Sequence, residues 1–411
     1  MRPSGIEWIG DIPDDWEVRK ITTLLDNIGS GTTPPNNTDF YENGIIPWLN
    51  TGDLTDNYVD LIENKITEYA LNQYSALKIF PKDSVVIAMY GATIGKLGIL
   101  RESASTNQAC CVMQCNDNLY FKFLFYSLYG YREYILTLSY GSGQPNISQK
   151  IIKDLRLPTP PLKTQQIIAD YLDEKCGEID ATIAKQKEII EKLKAYKQSL
   201  ISETVTKGLD KSAPLKPSGI DYLGDIPSHW EIKKLKFLVS LIDNKTKDGH
   251  SISLENIESG TGKLIETENT YDGDGISFKE NDLLFGKLRP YLAKVYLSAL
   301  KGRALGDFYV MRANKGTNPN FLKFVLLSDW FIKIVDSSTY GTKMPRASWD
   351  FTGGMRIPLP PISEQDCISS YLETKCSEVD TFIIEKQNII QKLDAYKKSL
   401  IFECVTGKRL V

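Results

Sequence analysis

Apolar positions in two stretches of the chain recur at the spacing of an α-helix. Ile179, Ile183, Ile190, Leu193 and Leu200 stand at gaps of four, seven, three and seven, which places them along one stripe of a helix surface. Lys185, Lys187, Glu188, Glu191, Lys192 and Lys194 lie between them as a solvated flank. The proline run Leu157-Pro158-Thr159-Pro160-Pro161 cannot be helical and marks the start, and no further proline follows before Pro214. Because the stripe is narrow, it predicts a single partner helix. The chain supplies that partner itself. Ile357-Pro358-Leu359-Pro360-Pro361 reopens the pattern, and Val379, Ile383, Ile390, Leu393 and Leu400 repeat the stripe at an offset of 200. Some ~40 residues at about 1.5 Å each predict rods of roughly 60 Å that zip together as a coiled coil.

The segments preceding the rods carry a different pattern. Short β-branched and aromatic runs broken by Gly, Pro, Asn and Asp predict mixed α+β domains. In the first, Ile45 to Leu49, Ser84 to Tyr90 and Ile94 to Leu100 read as strands, and Tyr120 to Leu138 as one helix or two. In the second, Asp282 to Phe285, Ala293 to Leu297 and Phe308 to Met311 read as strands, and Phe321 to Val335 as a helix. Each domain opens alike: Pro3-Ser4-Gly5-Ile6 through Gly10-Asp11-Ile12-Pro13 and Trp16 returns as Pro217-Ser218-Gly219-Ile220 through Gly224-Asp225-Ile226-Pro227 and Trp230, at an offset of 214. The chain is thus a duplication of whole units, too long in period for a stacked solenoid. The expected fold is α+β: mixed domains over 1–157 and 210–356, and helical spacers over 158–209 and 357–411. The spacers pack as an antiparallel coiled coil, because the returning second domain suits an internal pseudo-two-fold repeat.

Composition narrows the function. Of 411 residues, 42% are hydrophobic and 25% charged, enough for each part to bury a core. Net charge is −3, so any nucleic-acid contact has to be local and not spread over a basic surface. No stretch approaches the ~20 apolar residues of a membrane span, and a cytosolic protein is expected. Seven cysteines without a C-x-x-C pair, and only two histidines, argue against a zinc site. No metal and no cofactor is expected in the chain. Gly91-Ala92-Thr93-Ile94-Gly95-Lys96 has the wrong glycine spacing for a phosphate loop, and Leu97 stands where Ser or Thr would bind magnesium. Gly29-Ser30-Gly31-Thr32-Thr33-Pro34 has proline at the last glycine position of a dinucleotide fingerprint. No amide-holding methyltransferase tetrapeptide and no nuclease cluster stands out, so no catalytic residue is assigned.

Each domain ends in a polar glycine loop just before its rod, Tyr140 to Asn146 in one and Tyr340 to Arg346 in the other, already at the offset of 200. These loops offer side chains that read base edges: Gln144 and Asn146, which suit adenine, and Lys343 and Arg346, which suit guanine. Thr32, Thr33, Thr93, Lys96, Asn107, Gln108, Ser142, Lys287, Arg289 and Tyr291 are further candidates for phosphate or base contact. Singly, each is a residue that exposed loops carry anyway. As a set on a duplicated scaffold they point to DNA. A two-headed coiled-coil adaptor for proteins and a self-contained DNA-modifying enzyme stay open as alternatives.

The motifs resemble a known family. Pro3-Ser4-Gly5-Ile6 to Trp16 with its second copy, Ile46-Pro47-Trp48 followed by Gly52-Asp53, Thr93-Ile94-Gly95-Lys96, Asn107-Gln108-Ala109, and Pro358-Leu359-Pro360-Pro361-Ile362-Ser363-Glu364-Gln365 are similar to the specificity subunits of type I restriction-modification systems, HsdS. The likeness covers essentially the whole chain; one departure is Thr164-Gln165 where the second copy has Glu364-Gln365. It implies a non-catalytic subunit whose two target recognition domains each read one half of a bipartite, asymmetric double-stranded DNA target. The helices would set the spacer and dock two methyltransferase subunits, which bind S-adenosylmethionine and methylate adenine. Two restriction subunits using ATP and Mg would join for cleavage.

Overall fold

The structure, a computed structural model, describes residues 1–140, 145–265, 273–341 and 343–411. Contacts divide the chain into two compact units, Met1–Gln186 with Asn388–Val411, and Lys187–Gln387. Each unit therefore combines one mixed domain with a half of each long helix.

Unit 1 is built on a five-stranded sheet of β1 (Leu25–Gly29), β2 (Asn57–Val59), β3 (Val85–Ala88), β4 (Leu97–Leu100) and β5 (Cys110–Cys115). The spatial order is β1-β5-β3-β4-β2, antiparallel except for the β4–β2 pair. Val85, Val86, Ile87 and Ala88 are all buried, as in a central strand covered on both faces. One face is covered by α1 (Phe121–Gly130), and α2 (Leu162–Lys207) begins directly after a strand at Arg156–Thr159 that pairs with Glu17–Lys20. A second, small sheet joins Ser105–Thr106 in parallel to Ile46–Leu49.

Unit 2 repeats this plan with β6 (Val239–Ile242), β7 (Asp282–Gly286), β8 (Val295–Leu297) and β9 (Phe308–Ala313), in the order β6-β9-β7-β8. Gly302–Ala304 runs parallel to His250–Ile252 where unit 1 has Ser105–Thr106 beside Ile46–Leu49. Beyond Leu49 and Ile252 both chains turn through the same reciprocal cap: Asn50 N–H donates to Asp53 Oδ2 and Ser253 N–H to Asn256 Oδ1, both at 2.8 Å. The helical stretch predicted over Phe321 to Val335 is two helices, α3 (Pro319–Leu327) and α4 (Asp329–Ser337). Ser328 separates them: its backbone is extended, and its hydroxyl donates to Val325 O at 2.6 Å. The last long helix, α5, spans Ile362–Val405.

Within unit 1 the start of α2 runs antiparallel to the end of α5. Lys397 Nζ lies 2.6 Å from Asp180 Oδ2, and Cys176, Ile179, Ile183, Leu400, Ile401, Cys404 and Val405 share the core with Phe123 and Trp16. Within unit 2 the end of α2 meets the start of α5 in the reciprocal way, with Lys197 Nζ 2.6 Å from Asp380 Oδ1. Of the apolar stripe, Ile179, Ile183, Ile190, Val379 and Leu400 are buried, and Leu193, Leu200, Ile383, Ile390 and Leu393 are partly so. Both rods stop at a glycine in the left-handed region, Gly208 (φ 74°) and Gly407 (φ 70°), where a side chain would press on Trp230 in one unit and on Pro13 and Trp16 in the other. That contact accounts for the recurring tryptophan of the two openings. All seven cysteines are free thiols.

The Asp380 carboxylate also accepts from Lys263 Nζ at 2.7 Å. Burial alone would raise its pKa, but the hydrogen bonds and charges of Lys197 and Lys263 hold it below the ordinary carboxylate range. A carboxylate with a lower pKa folded than unfolded contributes stability that is fully present above the unfolded value and lost as pH falls through the folded one. Acidification from about pH 6 to about pH 3 is therefore expected to lower the unfolding free energy, with part of that slope belonging to Asp380. Asp380→Asn should cost about 2 kcal/mol at neutral pH and flatten the acid limb. Urea titrations of the whole chain at several pH values would check this; an unchanged acid limb in the variant would refute the assignment.

Candidate nucleic-acid interface

The strand directions decide where the candidate side chains meet. In unit 1, β1 and β3 end, and β5 and β4 begin, at one edge of the sheet. The connections made there contain Thr32 and Thr33, Thr93 and Lys96, and Asn107 and Gln108. Backbone bonds join them: Met89 N–H donates to Ala109 O at 2.8 Å, and Ile147 N–H to Met89 O at 2.7 Å. Asn146, paired on its other side with Tyr140, is thereby held beside Tyr90 at the same edge. Ser142 and Gln144 lie outside the described residues.

The side chains gathered there do unlike things. Thr33 Oγ1 donates to Gln108 Oε1 at 2.7 Å, which fixes the amide and leaves its NH₂ to face outward. The Thr32 carbonyl accepts from Trp48 Nε1 at 3.1 Å. Asn107 is engaged at both ends, donating to Asn50 Oδ1 and accepting from Ala109 N–H, each at 3.0 Å. Its amide holds the strand crossing in place and has little left for a base. The Gly91 to Lys96 stretch is a hairpin connection, turned at Gly91 (φ 85°) and Gly95 (φ 77°), with Lys96 exposed. Sequence reasoning missed Ser30, whose hydroxyl accepts from Gln149 Nε2 at 2.6 Å and ties this edge to the segment leading into α2. The two residues are 119 apart, and no local pattern links them.

In unit 2 the corresponding edge carries Lys287, Arg289 and Tyr291 between β7 and β8, and Lys343 and Arg346 ahead of α5. The two connections are sewn together: Arg289 N–H donates to Pro345 O at 2.8 Å, Ala347 N–H to Lys287 O at 2.9 Å, and Leu288 bridges Arg346. Lys343 and Tyr291 are exposed. Arg346 meets a residue that sequence reasoning did not single out, Asp307, with Nε 3.1 Å from Oδ1 and Nη2 2.9 Å from Oδ2. Lys287 Nζ is 3.9 Å from the same carboxylate and 5.5 Å from the Tyr309 ring centre. The hydrogen bonds that Arg346 donates to Asp307 raise its guanidinium pKa further, so it is a permanent cation here. Asp307 occupies the place that Ala109 takes in unit 1, since Lys287 N–H donates to its carbonyl as Met89 N–H does to that of Ala109. The edge is thus amide-rich in one unit and cationic in the other.

Among the described residues no group of three or more His, Cys, Asp or Glu is placed to hold a metal ion, and no helix is long and apolar enough to cross a membrane. What both edges offer is an exposed set of donors held by backbone pairing, the requirement for contacting phosphates and base edges.

Residues 13–195 match the family model described as the type I restriction modification DNA specificity domain. The chain is 25% identical to the MjaVIII specificity subunit of Methanocaldococcus jannaschii, over 97% of this chain and 93% of that one. It is 23% identical to the EcoDI specificity subunit of Escherichia coli over 70% of each. In fold it is similar to a chain of a type I R-M system solved to explain complex assembly and conformational transition, with a TM-score of 0.73, 14% identity, and 97% of this chain and 100% of that one covered. The HsdS subunit from Thermoanaerobacter tengcongensis superposes with a TM-score of 0.55 at 14% identity, covering 97% of this chain and 98% of that one.

Proposed function

We propose that the chain is a type I restriction-modification specificity subunit and that it recognises a bipartite DNA target through two unlike half-sites, one for each unit. The observation that carries this reading is the repetition of one edge with different chemistry: Asn146 in unit 1 stands where unit 2 presents Arg346, with Gln108 on the unit 1 edge and Lys287 and Lys343 on that of unit 2. A duplicated scaffold that kept one sequence preference would have kept those side chains alike. Amides suit adenine and a guanidinium suits guanine, and each well-formed bidentate contact discriminates by about 1–3 kcal/mol.

In this reading the recognition domains cover 1–157 and 210–356, and the spacers 158–209 and 357–411 hold them apart. The chain performs no chemistry. Two methyltransferase subunits with S-adenosylmethionine would methylate adenine, and two restriction subunits with ATP and Mg would cleave, in the cytoplasm. Arg346, Lys343, Gln108 and Asn146 are the proposed base readers; Lys96, Thr32, Thr33, Thr93, Lys287, Arg289 and Tyr291 are proposed to meet the backbone. With a net charge of −3, the chain alone should hold DNA weakly, because few phosphates can be neutralised without the partners.

The test is to express the chain with its cognate methyltransferase subunits and map modified adenines across a genome. The expected outcome is one asymmetric, gapped motif, with no methylation by the chain alone. Methylation by the isolated chain, or binding of the isolated chain as tight and as sequence-selective as that of the complex, would overturn the proposal.

A further inference from the structure

The Arg346 guanidinium has two edges able to make paired hydrogen bonds. Asp307 occupies the lateral one, formed by Nε and Nη2, at 3.1 and 2.9 Å. The end-on edge, formed by Nη1 and the second proton of Nη2, remains. Among the described residues no protein acceptor meets Nη1. A fork presented end-on with its plane fixed matches the O6 and N7 acceptors on the major-groove edge of guanine.

Fixing the plane takes both ends of the side chain, and both are fixed. The Arg346 backbone pairs with Tyr340 on one side and bridges Leu288 on the other, while its neighbours Pro345 and Ala347 bond to Arg289 and Lys287. The Ala347 carbonyl accepts from Tyr309 Oη at 2.7 Å. Asp307 sits immediately before β9, whose first residue Phe308 is buried, so the carboxylate is carried on the rigid sheet and not on the loop. Unit 1 has no such carboxylate, because Ala109 stands there.

Resting on the reading of unit 2 as a half-site reader, we infer that Asp307 is the specificity-determining positioning residue of that half: it holds Arg346 end-on, so that unit 2 demands guanine at one position. Asp307 touches no base itself. Without it the long arginine side chain sweeps through many rotamers, and its charge becomes a general attraction for phosphate.

The experiment uses the complete methyltransferase complex on a duplex library randomised at each half-site position in turn, with adenine methylation read by sequencing. The parent complex is expected to require guanine at one position of the unit 2 half. Arg346→Ala should reduce that preference by roughly 5- to 150-fold and leave the other half unchanged. Asp307→Asn should relax the same position and no other. Arg346→Lys keeps the charge without the fork; it should retain the salt dependence of binding while losing the guanine preference, and it keeps the test decisive if a harsher variant misfolds. A uniform loss over all bases and positions in the Arg346 and Asp307 variants, with the preference intact, would make the pair merely structural or phosphate-binding and overturn the inference. A parent complex with a gapped motif but no guanine demand in that half would also overturn it. Absence of any gapped motif in the parent would sink the half-site reading as well, so the two failures are distinguishable.

Discussion

Replacing Gln365 by leucine is expected to destabilise unit 2 by about 3–5 kcal/mol, and Gln165→Leu to do the same to unit 1. Both glutamines are fully buried in the first turn of a long helix. Gln365 Oε1 accepts from Asn318 N–H at 2.8 Å, and its Nε2 donates to Pro360 O at 2.8 Å and Gly316 O at 3.3 Å. Gln165 makes the same three bonds, with Tyr120 N–H at 2.8 Å, Pro160 O at 2.9 Å and Asn118 O at 3.0 Å. One amide thus clamps the loop ahead of α1 or α3 to the proline run that starts the rod. Leucine matches much of the volume but leaves one N–H and two carbonyls without partners, the proline carbonyl of them buried and the other two groups partly so, and each orphaned buried group costs about 1–3 kcal/mol. Denaturant unfolding of both variants beside Lys163→Leu, at an exposed position in the same turn as Gln165, would check it. A loss below about 1 kcal/mol would mean that water replaces the amide.

The second large effect concerns target spacing. A heptad inserted after Glu191 and another after Gln391 preserve the apolar stripe of both helices, because seven residues restore the seam to the same face. Each insertion adds about 10 Å of helix, the length of about 3 base pairs. The gap between half-sites is expected to lengthen by up to that amount while both half-sites stay the same. A single four-residue insertion in one helix alone would misalign the partners and is expected to abolish methylation. Mapping methylated adenines with each variant decides the matter: altered half-sites at an unchanged gap would remove the helices from the role of spacer.

Much of the scaffold was legible because its signals are local. The proline runs, the 3.5-residue periodicity of Ile179 to Leu200 and its copy at Val379 to Leu400 all lie within short windows, and α2 and α5 follow them. Strands with continuous apolar runs, such as β3 and β4, were also visible. Leu25–Gly29 and Val239–Ile242 were not, because each is short and broken by polar residues without strict alternation, and becomes a strand only by pairing with β5 or β9. The break at Ser328 was hidden for a similar reason, since apolar spacing continues across it.

For the interface, sequence determined which side chains stand on loops, and structure determined what each is free to do. Lys96, Lys343 and Tyr291 remain exposed, whereas Asn107 is drawn into the scaffold by Asn50 and the Ala109 backbone. Chain separation explains the difference. Asp307 and Arg346 are 39 residues apart, Ser30 and Gln149 are 119 apart, and Lys197 and Asp380 are 183 apart. Periodicity fixes which face of a helix is apolar and proline fixes where it begins, because both act within a few residues of the chain. Which carboxylate meets which cation depends on sheet order and on antiparallel helix register, and these are settled only when distant strands and helices bury their surfaces together.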